Sequence, residues 1–483
     1  MKLQLVSGAY QAKSIIASAQ RCVNLYPEIN QQENTQAIPS LPQSAAVTTH
    51  YPTAGLTLLS TASDAPWRGI YVAGNGNCYG VAGGTVYLIS STFALTPLGS
   101  IGYNTTPVSM SDNGIVLVLV DGTTNGYTIN LANNTFSLLN DSTGSFVGAD
   151  FVDYIDTFFV FNKSGTQAFY CSLSNSITFD PTYIANKTGR SDTLVGIIVC
   201  RREIWLIGSL TTEIWYDAGN GAFPFAIVNG AFIEHGCVAK NSIARQDTAI
   251  YWLSKDNQGQ AIILEGVNYT AKRVSTHAIE NEIQKYSVIS DAVAHIHQLE
   301  GHTFYVLSFP TANKTWVYDI ATQLWHERNY TDSNGQSNRV RVQTGVNFNG
   351  KFIVGDWQNG NLYYYDVNNF TDNGQPIIRT RSFPHIVNEL NRIMYSSFIA
   401  DMQTGATSDP TQIPQLSLRW SDDRGYSWGN PITQDFGASG KANELLNYQR
   451  LGMARDRVFE LSWSSPVPTA LNGAYIDVVA AAT

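Results

Sequence analysis

Short apolar runs rich in Val, Ile, Tyr, Phe and Trp recur along this chain, separated by clusters of Gly, Asn, Ser and Thr. Runs of that length and composition, bounded by turn residues, predict β-strands. From Trp67 onward they come in groups spaced by roughly 35 to 50 residues, the period of propeller blades and other arrays. The first group reads Arg68-Gly69-Ile70-Tyr71-Val72, a Gly-Asn-Gly turn at 74–76, Cys78-Tyr79-Gly80-Val81, Gly83-Gly84 and Thr85-Val86-Tyr87-Leu88-Ile89. This is a meander whose glycines supply the positive φ angles that tight hairpins need. Six further groups centre on 115–120 with 127–129, 157–161 with 168–170, 203–208 with 212–216, 249–253 with 261–264, 303–307 with 315–319, and 351–355 with 362–366. In most of them a near-continuous apolar strand precedes an aromatic-rich one, as expected where the inner strands of a blade are buried on both faces by neighbouring blades. The pattern predicts an all-β protein built on a β-propeller of six or seven four-stranded blades at 67–375. The count stays open because ring closure often borrows a strand from a terminus.

Outside the repeat the pattern changes. Residues 1–66 have no regular period and contain Pro27, Pro39, Pro42 and Pro52, which predicts an extended N-terminal arm running over other elements. Residues 376–483 open with Pro376, Pro384, Pro410 and Pro414, and then show runs such as Gln415-Leu416-Ser417-Leu418-Arg419-Trp420 and Val458-Phe459-Glu460-Leu461-Ser462-Trp463. Their period-two alternation predicts a C-terminal, half-exposed β-sandwich-like domain. One helix is expected at 276–285, with Ser275 as its cap and Ile279 and Ile283 on one face.

Charge narrows the function classes. Only 14% of the 483 residues are charged, and 29 basic against 38 acidic residues leave a net charge of −9. That balance argues against a protein that grips nucleic acid by neutralising phosphates. Five widely spaced cysteines, none in a CxxC pair, read as reduced and mostly buried thiols rather than a disulfide framework or zinc ribbon. No apolar h-region opens the chain and no run approaches the roughly 18 residues that span a bilayer, so the expectation is cytoplasmic synthesis without a membrane anchor.

The sharpest local motif is Ser421-Asp422-Asp423-Arg424-Gly425-Tyr426-Ser427-Trp428-Gly429, which resembles the Asp-box hairpin of sialidases and related propellers. Ser421, Asp423, Gly425 and Trp428 are therefore assigned to a structural turn, in which the acid satisfies turn amides and the aromatic plugs the sheet. A sialidase would also need an arginine cluster, a Tyr nucleophile and an acid. His295 and His297 share a strand face with His302 close by, but a polar strand face near a turn explains them better than metal ligation. Gly74-Asn75-Gly76 and Gly83-Gly84 are hairpin glycines, since no Lys-Ser/Thr follows them, and Arg201-Arg202 reads as an exposed hairpin tip. No catalytic, cofactor-binding or metal residue is nominated.

A family resemblance rests on Cys22-Val23-Asn24-Leu25-Tyr26-Pro27-Glu28 with Ser40-Leu41-Pro42, and on Val195-Gly196-Ile197 through Ile204-Trp205-Leu206-Ile207-Gly208-Ser209 to Thr212-Glu213-Ile214-Trp215-Tyr216. Phe232-Ile233-Glu234-His235-Gly236-Cys237-Val238, Ile250-Tyr251-Trp252-Leu253 and the helix at 276–285 extend it. In these stretches the chain resembles the packaged-DNA stabilisation proteins, the tail hub or nozzle subunits, of short-tailed (podovirus-type) bacteriophages. The resemblance implies a homo-hexameric ring below the portal and its adaptor in the virion tail, and a central channel passing DNA without tight binding. It also implies contacts with a tailspike or tail fibre and with a tail needle or plug. The competing reading is a carbohydrate-binding or glycoside-cleaving propeller, which predicts a pocket with convergent Arg, Asp, Glu and Trp.

Overall fold

The computed structural model describes residues 2–3, 8–30, 47–139, 141, 143–407, 411 and 413–480. Ser40-Leu41-Pro42, Pro39 and Pro410 lie outside the described residues. Seven four-stranded antiparallel meanders form the propeller. Six are contiguous in sequence, at 67–100, 109–138, 152–186, 194–233, 244–273 and 293–327. The seventh combines Val342–Phe348, Lys351–Asp356 and Asn361–Asp366 with Gly55–Thr61, which pairs antiparallel to Asn361–Asp366 and closes the ring. The borrowed strand explains why the repeat left the blade number open. The fourth strands of blades 2 and 5, Phe136–Leu138 and Thr270–Arg273, are short and largely exposed, so they carry little hydrophobic signal.

The strands expected to be inner ones, 115–120, 204–207 and 352–355, are the second strands of their blades. The innermost position belongs to the strand before each, here Ser109–Asp112, Leu194–Cys200 and Val342–Phe348, and such strands pack on one another around the axis. Second strands are the most apolar because blades cover both of their faces. Leu117, Val118, Leu119 and Val120 are fully buried, whereas Ile115 precedes its strand and is 64% exposed. At the closing seam, Trp67 is fully buried and its indole donates to the Gly360 carbonyl at 2.9 Å. Gly355 must be glycine there, because a Cβ would stand 2.3 Å from that of Trp67.

The C-terminal region is a β-sandwich that takes strands from the arm. One sheet runs Leu446–Gln449, Ile393–Met402, Leu471–Ala480, Val47–Pro52, Leu25–Asn30. The other runs Cys22–Val23, Arg379–Ser382, Asp456–Trp463, Gln415–Ser421, Ile432–Asp435. Val23 also pairs in parallel with Glu327, the last residue of the outer strand of blade 6, so propeller and sandwich share one ten-stranded sheet. Their cores merge as well: Tyr305, Leu307 and Trp325 of blade 6 belong to the same apolar cluster as Phe398, Phe459 and Leu461 of the sandwich. Each such side chain stabilises the junction by roughly 1.5–3 kcal/mol.

The expectation of half-exposed strands fails at Asp456–Trp463, which is buried on both faces except for a half-buried Ser462. Polar side chains on both faces are covered: on one, Arg457 pairs with Asp422, and on the other Glu460 accepts from Arg419 and Ser382 and faces Arg21 of the arm. The helix is observed at His277–Ile283, with Ile279 and Ile283 buried, between blades 5 and 6. Thr276 caps it rather than Ser275, whose hydroxyl instead accepts from the Ile263 amide and donates to Glu280.

Candidate functional site at the arm seam

Where the arm crosses from sandwich to propeller it covers a buried polar cluster on blade 6. Strand alternation sets His295 and His297 on one face of Val293–Leu299, with ring centroids 5.7 Å apart. On the last strand of the blade and the residue after it, His326 and Arg328 are likewise two apart. The Arg328 guanidinium donates to His326 Nε2 at 3.1 Å and to His297 Nε2 at 3.3 Å, and stacks 4.5 Å above the Phe304 ring. Accepting at Nε2 makes both imidazoles neutral with the proton on Nδ1. Burial, reinforced by the Arg328 charge, pushes His295 down to about 3 and His297 and His326 well below the usual histidine range.

His302 does not join His295 and His297. Its Nδ1 lies 2.7 Å from Asp319, and that hydrogen bond raises its pKa. A cation, Arg328, stands beside the histidine pair where a metal would have to bind, and among the described residues no three His, Cys, Asp or Glu are grouped to hold an ion. The arm supplies Tyr26, whose hydroxyl donates to Glu300 at 2.8 Å, and Asn24, which bonds Asn329 and the Ile378 carbonyl. Arg328 and His326 did not emerge from the sequence, although their spacing on a strand end that also holds Trp325 was a readable signal.

Residues 421–429 fold into a hydrogen-bonded turn. Asp423 accepts from the Ser427 amide at 2.8 Å and from the Ser421 and Ser427 hydroxyls, which pull its carboxyl down to about 2. Ser421 Oγ accepts from the Gly425 amide at 2.7 Å, and Gly425 has φ +98. Trp428 is half-buried beneath the Arg419 guanidinium, at 4.9 Å, so it caps an ion-paired arginine. The turn lies against Ile15 and Ala19 of the N-terminal segment, away from the arm seam.

On the propeller axis a cavity of about 250 Å³ is lined by Arg68, Ser109, Asp150, Asn241 and Gln343 among others. Arg68 spends its donors on the Thr106, Gly83 and Gly102 carbonyls, and Asp150 is held by Lys240, Asn162 and Ser164. Arg201 and Arg202 form an exposed hairpin tip, both with positive φ, and Arg202 pairs with Asp156 at 2.8 Å. All five cysteines are buried and free.

Charged groups pinned by neighbours, and a propeller made one body with a sandwich, define an all-β scaffold protein. A family profile described as Bacteriophage P22 Gp10, beta-propeller, matches residues 1–369, and one described as Bacteriophage P22 Gp10, beta-sandwich, matches residues 379–479. The chain belongs to the bacteriophage P22 Gp10 family and is a phage tail structural protein. Among solved structures, the crystal structure of the WD40 β-propeller domain of Doa1 is similar at a TM-score of 0.41 and 11% sequence identity, covering 64% of this chain and 97% of that one. Comparison with curated proteins returns no match. Among the described residues, no helix is long and apolar enough to cross a membrane.

Proposed function

We propose that this protein is the tail hub, or nozzle, of its virion: a homo-hexameric ring below the portal and adaptor that helps retain the packaged genome and passes it on ejection. Family membership supports the tail location. The observation that carries the mechanical reading is the ten-stranded sheet that runs from blade 6 through Cys22–Val23 into the sandwich. A subunit whose domains share a sheet and a core transmits load between its two ends without a hinge. The cavity on the propeller's own axis is about 250 Å³, too narrow for a duplex, so the DNA channel of this reading is the lumen of the assembled ring.

The reading assigns no catalysis to the chain and no cofactor. It assigns the neighbours as portal-adaptor, tailspike or tail fibre, and needle or plug, with assembly in the host cytoplasm. Mass photometry of the purified chain, alone and with a portal-adaptor complex, tests it. The expected result is a ring, formed alone or on the adaptor. A monomer that never joins the adaptor and cleaves a glycoside would overturn the proposal.

A further inference from the structure

Most buried arginines in this protein are compensated in a consistent way; Arg328 and Arg339 are the exceptions, Arg339 lying over the Trp357 ring. Arg68 donates to three carbonyls and faces Asp121 at 3.7 Å. Arg379 donates to the Ile377, Ser465 and Phe370 carbonyls, and Arg381 to the Gly8 and Arg21 carbonyls and to Gln20. Arg457 binds Asp422 through two nitrogens and the Leu451 carbonyl through the third. Each guanidinium therefore meets oxygens that carry full or partial negative charge.

Arg328 does not. It is 5% exposed, and its polar neighbours are two imidazole nitrogens and the Tyr365 phenol, all neutral. Among the described residues, neither a carboxylate within ion-pair distance nor a hydrogen-bonded carbonyl serves it, and Nη2 makes no hydrogen bond to the protein. A buried, uncompensated cation costs several kcal/mol, and proteins avoid it by pairing. Arg328 and Tyr365 line a cavity of about 40 Å³ at the arm seam. Its other walls come from the arm (Asn24, Thr53, Leu56) and from Arg341. A void of that size holds one or two water-sized particles. It is too small for phosphate or sulfate with a hydration shell.

We infer that this cavity is a binding site for a single monatomic anion, of the chloride class, paired with the Arg328 guanidinium. The anion would touch groups from the arm, blade 6 and blade 7 at once, and so would latch the arm onto the propeller. Asp372 also lines the cavity, but it faces Arg341 at 3.3 Å, which keeps the carboxylate engaged on that side.

Two measurements on the full chain test this. Crystals soaked in sodium bromide should give one anomalous peak in the seam cavity, within hydrogen-bonding distance of Arg328. A cavity without bromide, holding water alone, would overturn the assignment. In solution at fixed ionic strength, replacing sodium gluconate by sodium chloride should raise the Tm progressively, because a ligand that binds only the folded state stabilises it by mass action. Arg328→Met should abolish that chloride dependence. Should this variant fail to fold, Tyr365→Phe, which keeps the ring and removes the phenol from the cavity wall, should shift half-saturation to higher chloride. Equal Tm in the two salts for the parent protein, or an unchanged chloride response in whichever variant folds, would refute the site.

Discussion

His295, His297 and His326 are packed around Arg328 with pKa values held below the unfolded range. Tyr365, Phe352 and Phe304 also face His297, and the His302–Asp319 pair and Tyr26–Glu300 close the cluster from the turn and the arm. A histidine whose folded pKa is depressed binds its proton more readily in the unfolded chain. Stability is therefore intact above about pH 6.5 and falls as the pH drops toward the folded value, by up to ~1.4 kcal/mol per pH unit for each such group. His302 works in the opposite sense, since its raised pKa adds stability at low pH that is lost as pH rises through the folded value. Among these histidines three stand against one, so the cluster favours acid sensitivity, opposed in the same window by Asp372, whose carboxyl is pushed up to about 7 by burial. Urea midpoints between pH 7 and pH 5 should fall in the parent protein and fall less in His295→Phe, whereas parallel curves would count against the buried neutral state. At the 421–429 turn, Asp423→Ala removes three hydrogen bonds from a depressed carboxylate and should lower the Tm by a few degrees with the fold intact. Loss of a measurable glycosidase rate in that variant would show that the turn does chemistry.

Among the elements, the second strand of each blade and the borrowed strand at 55–61 matter most. Leu117 is fully buried between neighbouring blades, so Leu117→Asp would place an unpaired carboxylate there at a cost of roughly 3 kcal/mol or more. Chemical denaturation should register that loss, and an unchanged midpoint would contradict the burial of this strand. Gly55–Thr61 matters for a different reason: it covers the open edge of Asn361–Asp366. A chain lacking residues 1–61 would expose that edge and lose strands from both sandwich sheets. It should aggregate or unfold in more than one step. A soluble variant with a single transition at the parent Tm would show that the ring closes without the arm.

At the scale of the whole molecule, charge and assembly decide how DNA is handled. With 29 basic and 38 acidic residues the chain has no surplus cation to release counterions from a duplex. Five arginines, Arg68, Arg341, Arg379, Arg381 and Arg457, are consumed internally by carbonyls and carboxylates. The isolated chain is thus expected to bind duplex DNA no more tightly than roughly 10⁻⁴ M at physiological salt. Fluorescence anisotropy across a salt series checks this. A submicromolar affinity with a steep salt slope would mean that a basic stripe faces the channel, and that the genome is held by phosphate contacts rather than by closing a passage.

The sequence by itself determined the class of fold, because strand burial writes its own period. The second strands at 116–120, 203–208 and 351–356 are apolar since both faces are covered, and the hairpin turns between strands need Gly and Asn. It also determined the 421–429 turn, whose partners lie within a few residues of one another. Only the tertiary structure decided the rest. Ring closure by 55–61 depends on a partner about 300 residues away, and the burial of Asp456–Trp463 depends on Arg21 and Arg419 covering Glu460. The Arg328 cluster draws on residues 24–26, 295–302, 326–328 and 365. No local period encodes such pairings. They arise when an irregular arm is folded between two bodies whose own strands are regular.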